Sequence, residues 1–444
     1  MSDKTKPIVV IGAGITGCVV AYKLASAGKK VILIEKGNEV GGLARTFRYG
    51  DFIFDIGPHR FYIGNKEIFS FICEILKEDY RIIQRNTSVF FLGKYHAWPL
   101  NPWILFNLPI SILFKSFYEL LFVLPGKRRK KIKHFKDYIM KYYGPTLYNI
   151  FFRNYTQKFL NLSPEETHAN WAKEAIKRTI IDERMASRNL WEILRMTFLF
   201  FPLRTEFLYP TGGIDLLCHR LAERAKESGA EIYVDSRIEK LNLSSRKIEG
   251  LIFDHKAVEP DKLIWTGNLQ NLCELSNVPI NGLNYLDLIL YNVVVKRPIN
   301  KDFQWCYYGS EDLVFSRVTL PSRFSQDLVS KGRDSLCVEV TCNESDLWWK
   351  DPESLIGRIK EDLIKVGLIE TSADIDNVYI EKISNAYPIY TRDYPQHLCQ
   401  VKESLSKFEN LSLAGRTGLF WYNNMDDSIE NGLNLAEDII LEAS

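Results

Sequence analysis

The sequence predicts an α/β protein: a discontinuous Rossmann-like domain, interrupted by a helical insertion and by a second, mixed-sheet insertion. Three observations carry that expectation. The chain opens "PIVVIGAGITGCVVAYKLASAGKKVILIEK", which reads as strand, tight turn, helix and strand. At 444 residues it is too long for one compact core. The pattern then changes twice, from mostly helical over about 86–205 to short strands over about 281–394.

Each part of the opening unit has a physical reason. Ile8 to Ile11 is a short β-branched run of the kind buried in a parallel sheet. Gly12, Gly14 and Gly17 form G-x-G-x-x-G. The first lets the chain turn, the second lets backbone approach a pyrophosphate, and the third lets the helix pack on the strand. Free N–H groups at the helix start then face the phosphates. Apolar residues recur along Cys18 to Leu24, and Gly28 caps the helix. A second apolar strand, Val31 to Ile34, ends in Glu35, where an acid holds a ribose hydroxyl. Strand, helix, strand and acid in register point to a dinucleotide site; the plainer alternative is a glycine-rich structural turn.

After Glu35 the chain continues "KGNEVGGLARTFRYGDFIFDIGPHRF". Gly41 and Gly42, followed by Arg45 and Thr46, supply a second flexible backbone surface near the phosphates. This layout resembles the FAD-binding superfamily of amine oxidases, protoporphyrinogen oxidases and UDP-galactopyranose mutases. The resemblance implies FAD as cofactor and a turn beside the isoalloxazine at Asp55, Ile56 and Gly57. It implies that "EIYVDSRIEKL" is the strand whose backbone near Val234 holds the adenine, and that "DKLIWTGNL" returns toward the cofactor. It makes "LSLAGRTGLFWYNNMDDSIENGLNLAEDII" the last strand and closing helix. Gly415 and Arg416 then reach the flavin's pyrimidine edge, with Asn424 and Met425 also among the cofactor contacts. The FAD-binding domain is expected from 1–85, 206–280 and 395–444, the helical insertion from 86–205, and a substrate-binding sheet domain from 281–394.

Composition agrees with an enzyme. Hydrophobics at 46% and charged residues at 25% are ordinary for a soluble globular protein, and a net charge of +2 argues against a dedicated nucleic-acid binder. The polar N-terminus carries no secretory pattern. Eight cysteines lie scattered without C-x-x-C, and seven histidines lack ligand spacing, so the expectation is no metal and a reduced, cytoplasmic setting. One stretch, "WPLNPWILFNLPISILFKSFYELLFVLPGKRRKKIK", is apolar and then basic. Pro109, Lys115 and Glu119 interrupt the roughly twenty apolar residues that a membrane span requires. It reads as a core helix pair followed by a solvated turn; the alternative is peripheral membrane contact through 103–133. Oligomeric state is not legible.

Several short motifs resemble the nucleotide-sugar mutase branch. "FDIGPHRF" resembles its Gly-x-His-x-Phe segment over the flavin face, matched by His59. "NYTQKFLNLSPEE" resembles its Tyr-Thr-x-Lys segment, with Tyr155, Thr156 and Lys158 in place. Arg178 in "IKRT" and Arg317 in "FSRVTLP" stand where the family keeps arginines for a diphosphate; "AYPIY" supplies Tyr387 and Tyr390, and the closing motif Tyr422. The resemblance thus implies catalytic roles for His59, Arg317 and Tyr422, and substrate contacts from Tyr155, Arg178, Arg317, Tyr390 and Tyr422. A diphosphate needs arginine forks, which suits that assignment. The chain departs from the mutases at Phe159-Leu160, usually Gln-Trp, at Tyr62, usually a second His, at Trp421, usually basic, and at Asn424, usually Asp. The plainer readings are a loop histidine, salt-bridge arginines and core tyrosines. The implied function is pyranose–furanose isomerisation of a nucleotide sugar by reduced flavin attacking the anomeric carbon. The alternatives are an FAD-dependent oxidase or desaturase, and a catalytically silent flavin-binding protein at a membrane.

Overall fold

The computed structural model describes residues 6–98, 109–119, 132–142, 144–179 and 205–442. Five parallel strands form one sheet in the order Glu231–Tyr233, Val31–Ile34, Ile8–Ile11, Lys262–Trp265 and Leu411–Leu413. All three stretches assigned from sequence to the cofactor domain therefore contribute strands. Ile8–Ile11 and Val31–Ile34 are buried at every position, as a sheet covered on both faces requires. Val10, Leu33 and Ile264 pack with the helix Ile15–Ser26, while Val9, Ile32 and Leu263 join the core on the other side. Helices Leu216–Glu227 and Met425–Glu442 flank Ile15–Ser26.

The second large sheet has seven strands, in the order Ile375–Pro388, Tyr285–Val295, Asp334–Cys342, Arg317–Thr319, Trp305–Tyr308, Thr87–Phe91 and Lys94–Trp98. Tyr285–Val295 and Asp334–Cys342 are buried at every residue. One face packs on helix Ile356–Lys365 through Ile359 and Leu363; the other turns toward the cofactor domain. The hairpin Thr87–Trp98 corrects the sequence reading, which placed it with the helical insertion from residue 86. Thr87–Phe90 pairs in parallel with Trp305–Tyr308. Local alternation shows that a strand exists, but not a partner more than two hundred residues away.

The described part of the helical insertion includes Phe135–Tyr142, Arg153–Leu160 and Ala169–Thr179. Most of 103–133 lies outside the described residues. Within it, helix Ile110–Tyr118 leaves Ile110, Phe114 and Tyr118 exposed. Among the described residues no helix is long and apolar enough to cross a membrane.

Candidate active site

The glycine turn is built by steric need at its ends and left open at its middle. Gly12 has φ +96°, and a Cβ on Gly17 would sit 1.9 Å from the Gly12 carbonyl oxygen. Gly14 is different. Its backbone is extended (φ −69°, ψ 179°), which any residue adopts, and a Cβ there would meet nothing within 4 Å. The protein itself does not require glycine at this position, whereas a pyrophosphate lying against the main chain does. Gly42 closes the same cradle: its Cβ would lie 3.0 Å from Gly14 Cα. The Gly41 N–H donates to Ala13 O at 2.8 Å, and Arg45 Nε donates to Gly42 O at 3.0 Å.

Glu35 sits where the motif places it, and its carboxylate also braces the turn. It accepts the N–H groups of Ala13 at 2.7 Å and Gly37 at 2.8 Å, one on each oxygen. Each oxygen retains a lone pair for a ribose hydroxyl. Ser236 N–H donates to Glu35 O. This brings Val234, 41% exposed despite its apolar side chain, beside the turn. On the opposite side Gly415 N–H donates to Asn431 Oδ1 at 2.9 Å, and a Gly415 Cβ would lie 3.3 Å from Thr16. Arg416 reaches Asn423 Oδ1 at 3.3 Å and the Asn423 carbonyl. Asn424 N–H caps onto Asp427 at 2.8 Å, and buried Met425 begins the last helix. Gly14, Gly41, Gly42 and Glu35 thus meet at one turn, and Gly415 packs against Thr16 of the helix that follows it.

Gly57 packs against the seven-stranded sheet. It has φ +71°, and its Cβ would meet Glu339 Oε1 at 2.9 Å and Arg317 Nη2 at 3.1 Å. Arg317 is therefore at the site, but its fork is taken: Nε and Nη2 both donate to Glu339 at 2.5 Å, and Nη2 also to the Tyr387 hydroxyl at 3.1 Å. Burial works against the guanidinium charge and Glu339 outweighs it, so Arg317 stays protonated. Tyr155 packs edge-on against Tyr307 at 5.6 Å, and its hydroxyl feels Arg317 and Tyr422. Tyr422 stacks on Trp171 at 4.1 Å. Tyr390 serves as scaffold, accepting the Tyr422 N–H at 2.9 Å. His59 is half-buried in the loop after Gly57, its N–H donating to Gly57 O at 2.9 Å. Arg178 belongs to helix Ala169–Thr179; its side chain lies outside the described residues.

Residues 10–75 match the family model of the NAD(P)-binding Rossmann-like domain. A reduced UDP-galactopyranose mutase superposes with a TM-score of 0.81 at 21% identity, over 99% of this chain and 96% of that one. The fold is that of the FAD-binding oxidoreductases. A protein assigned as a protoporphyrinogen oxidase from Exiguobacterium sp. 255-15 gives 0.77 at 18% identity, over 99% of both chains. The L-amino-acid oxidase of Sistrurus catenatus edwardsii is 33% identical over 93 residues, 21% of this chain and only 18% of that protein. The flavoprotein fold and the open cradle at Gly14 together make FAD the cofactor that these residues fit.

Two acids near these residues were given no specific role from the sequence. Glu339 is one; an acid inside the apolar run "SLCVEVTC" signals a buried charge that must have a cation. Asp426 is the other. It accepts the Tyr62 N–H at 3.3 Å, and burial first, then neighbouring Asp427, pushes its carboxyl up to about 8 from an ordinary 3.8. A raised carboxyl favours the protonated fold. Its contribution is complete below the ordinary value and is lost as pH rises through about 8. Asp55, raised to about 6 by burial, loses its own contribution at lower pH. Asp426→Asn is therefore expected to flatten the decline in thermal stability between pH 6 and 9, measured on the FAD-loaded protein. Parallel wild-type and variant profiles would refute this.

Proposed function

We propose that the chain is an FAD-dependent, mutase-like enzyme that isomerises a nucleotide sugar between pyranose and furanose forms. The observation that supports this best is the phenol wall facing the Gly57 turn. Burial pushes the Tyr387 hydroxyl up to about 12 and Tyr155 well above its ordinary value. Both therefore remain neutral hydrogen-bond donors, which a diphosphate needs and a carboxylate wall would repel. Tyr422 extends that wall to the closing motif, and Arg317 adds a charge whose Nη1 makes no hydrogen bond to the described residues. His59 lies at the flavin end. When bound, reduced FAD supplies the nucleophile at N5; the chain orients the sugar and neutralises its leaving group.

A second reading has its own support. The Arg317–Glu339 pair cancels its charge, and Phe159, Trp171 and Tyr387 pack beside it, a lining that suits an apolar substrate of an oxidase or desaturase. One experiment separates the two. The enzyme is reduced anaerobically with dithionite and given UDP-, GDP- and dTDP-sugars, and products are read by NMR. Isomerisation has no net electron change, so many turnovers per reduction are expected. Product formed only in proportion to oxygen consumed, with peroxide, would replace the mutase reading by the oxidase one.

A further inference from the structure

We propose that Lys158 is a positioning residue of the cleft: it fastens the helix that carries Tyr155 to the loop that leads into Arg317. The sequence places this lysine in the Tyr-Thr-x-Lys segment with Tyr155 and Thr156, where a cation invites the reading of a phosphate ligand. Its surroundings assign it otherwise. Lys158 Nζ donates to Leu313 O and Phe315 O at 3.1 Å each, and to Ser310 O. Burial lowers the ammonium to about 8, while Asp312, Asp362 and Glu311 act to keep it charged. At neutral pH it therefore has three N–H groups, and three main-chain carbonyls take all of them.

Those carbonyls belong to residues 309–316, which join strand Trp305–Tyr308 to strand Arg317–Thr319. Tyr307 and Arg317 are register partners at the base of this connection. Tyr155 and Lys158 are three residues apart on helix Arg153–Leu160, so they share one face of it. That face straddles the connection. Tyr155 meets its base: the ring packs edge-on to Tyr307 at 5.6 Å, and a Cβ on Gly309 would lie 3.5 Å from Tyr155 Cβ. Lys158 fills its turn. Thr341, on the strand paired with Arg317–Thr319, donates its hydroxyl to Lys158 O at 3.3 Å.

The connection is held from its other side as well. Leu313 and Phe315 bury their side chains in the core beneath helix Ile356–Lys365, with Ile359 and Leu363. Asp362 of that helix accepts the Val314 N–H at 2.8 Å, and Arg358 and Lys365 both donate to Asp312. The connection is thus anchored to the sheet, and Lys158 extends that anchorage to the inserted helix. Without the ammonium, Tyr155 would be tied to the sheet by ring packing and a single hydroxyl bond. The separation of Tyr155 from Arg317, and with it the shape of the phenol wall, would then vary.

The role in turnover rests on the mutase-like reading; the fastening does not, and the test separates them. The FAD-loaded protein is compared as wild type, Lys158→Met and Lys158→Arg, each with 3-fluorotyrosine in place of Tyr155. In Lys158→Met, hydrogen exchange read by mass spectrometry is expected to quicken at least about tenfold over 309–316 and 153–160 together, with no change over 8–26. The fluorine resonance at residue 155 should shift or broaden. Lys158→Arg, which keeps a cation with several donors, should recover part of both. For a nucleotide sugar that wild type isomerises, KM should rise about tenfold in Lys158→Met while kcat stays within about twofold, as expected when ground-state positioning is lost. A further measurement needs no variant and serves if Lys158→Met does not fold. In wild type, a succinimidyl ester should acylate Lys158 at least about tenfold more slowly than exposed Lys66. Unchanged exchange in Lys158→Met overturns the proposal, as does a loosened loop with an unmoved resonance at residue 155, or acylation of Lys158 at the rate of Lys66. Faster exchange and a moved resonance in a protein that isomerises no sugar keep the fastening and overturn the mutase reading.

Discussion

Arg317→Ala is expected to destabilise the protein by about 3–5 kcal/mol, the usual result of leaving one member of a buried ion pair alone. The Glu339 side chain is 1% exposed and that of Arg317 13%, so water does not replace the lost guanidinium. The loss is expected in the denaturant midpoint of the apo protein, independent of any substrate. Arg317→Met combined with Glu339→Leu should recover most of it, because the double change leaves no orphaned charge. If single and double variants unfold at the same denaturant concentration, the pair is not what holds this face together. The result bears on function too, since weaker substrate binding by Arg317→Ala would have to be separated from this loss of structure.

Gly14→Val is expected to abolish FAD binding at micromolar cofactor while leaving the apo fold intact. The added side chain enters space that no protein atom occupies within 4 Å of its Cβ, so the chain tolerates it and the pyrophosphate does not. Gly14→Ala should show the same effect at smaller scale, at least about tenfold in affinity, or ~1.4 kcal/mol. Gly17→Ala should damage both, because its Cβ would collide with the Gly12 carbonyl. Flavin fluorescence titration reads the first quantity and chemical denaturation the second. Wild-type FAD affinity in Gly14→Val would remove the pyrophosphate from this turn.

The parts of the site that could be read in advance were those written within a few dozen consecutive residues. Gly12, Gly14, Gly17 and Glu35 signal through local spacing, and Gly415-Arg416 through a strand–turn–helix pattern. Pairings made by sheet register could not be read in the same way. Arg317 and Glu339 are both visible in the sequence, but only the adjacency of their strands makes them one neutral unit. Lys158 meets Ser310, Leu313 and Phe315 because the inserted helix docks beside the connection into Arg317, and no single-sequence periodicity reports a partner at that distance. The hairpin Thr87–Trp98 was assigned to the wrong layer for the same reason.

The cofactor sheet is assembled from both ends of the described chain. Its edge strand is Leu411–Leu413, and Thr16, on the first helix, donates its hydroxyl to Ser428 O across 412 residues of sequence. Such contacts are the slowest to form, because the loop they close must first exist. During synthesis the opening βαβ unit leaves the ribosome with exposed apolar sheet edges and waits through the first insertion for its neighbours Glu231–Tyr233 and Lys262–Trp265, and the sheet then waits through the second for Leu411–Leu413. The glycine-rich phosphate loop is thus translated before either insertion, yet a complete flavin pocket cannot exist on the nascent chain until residues 411–431 have emerged. Cofactor capture by this chain is therefore expected to follow the synthesis of both insertions.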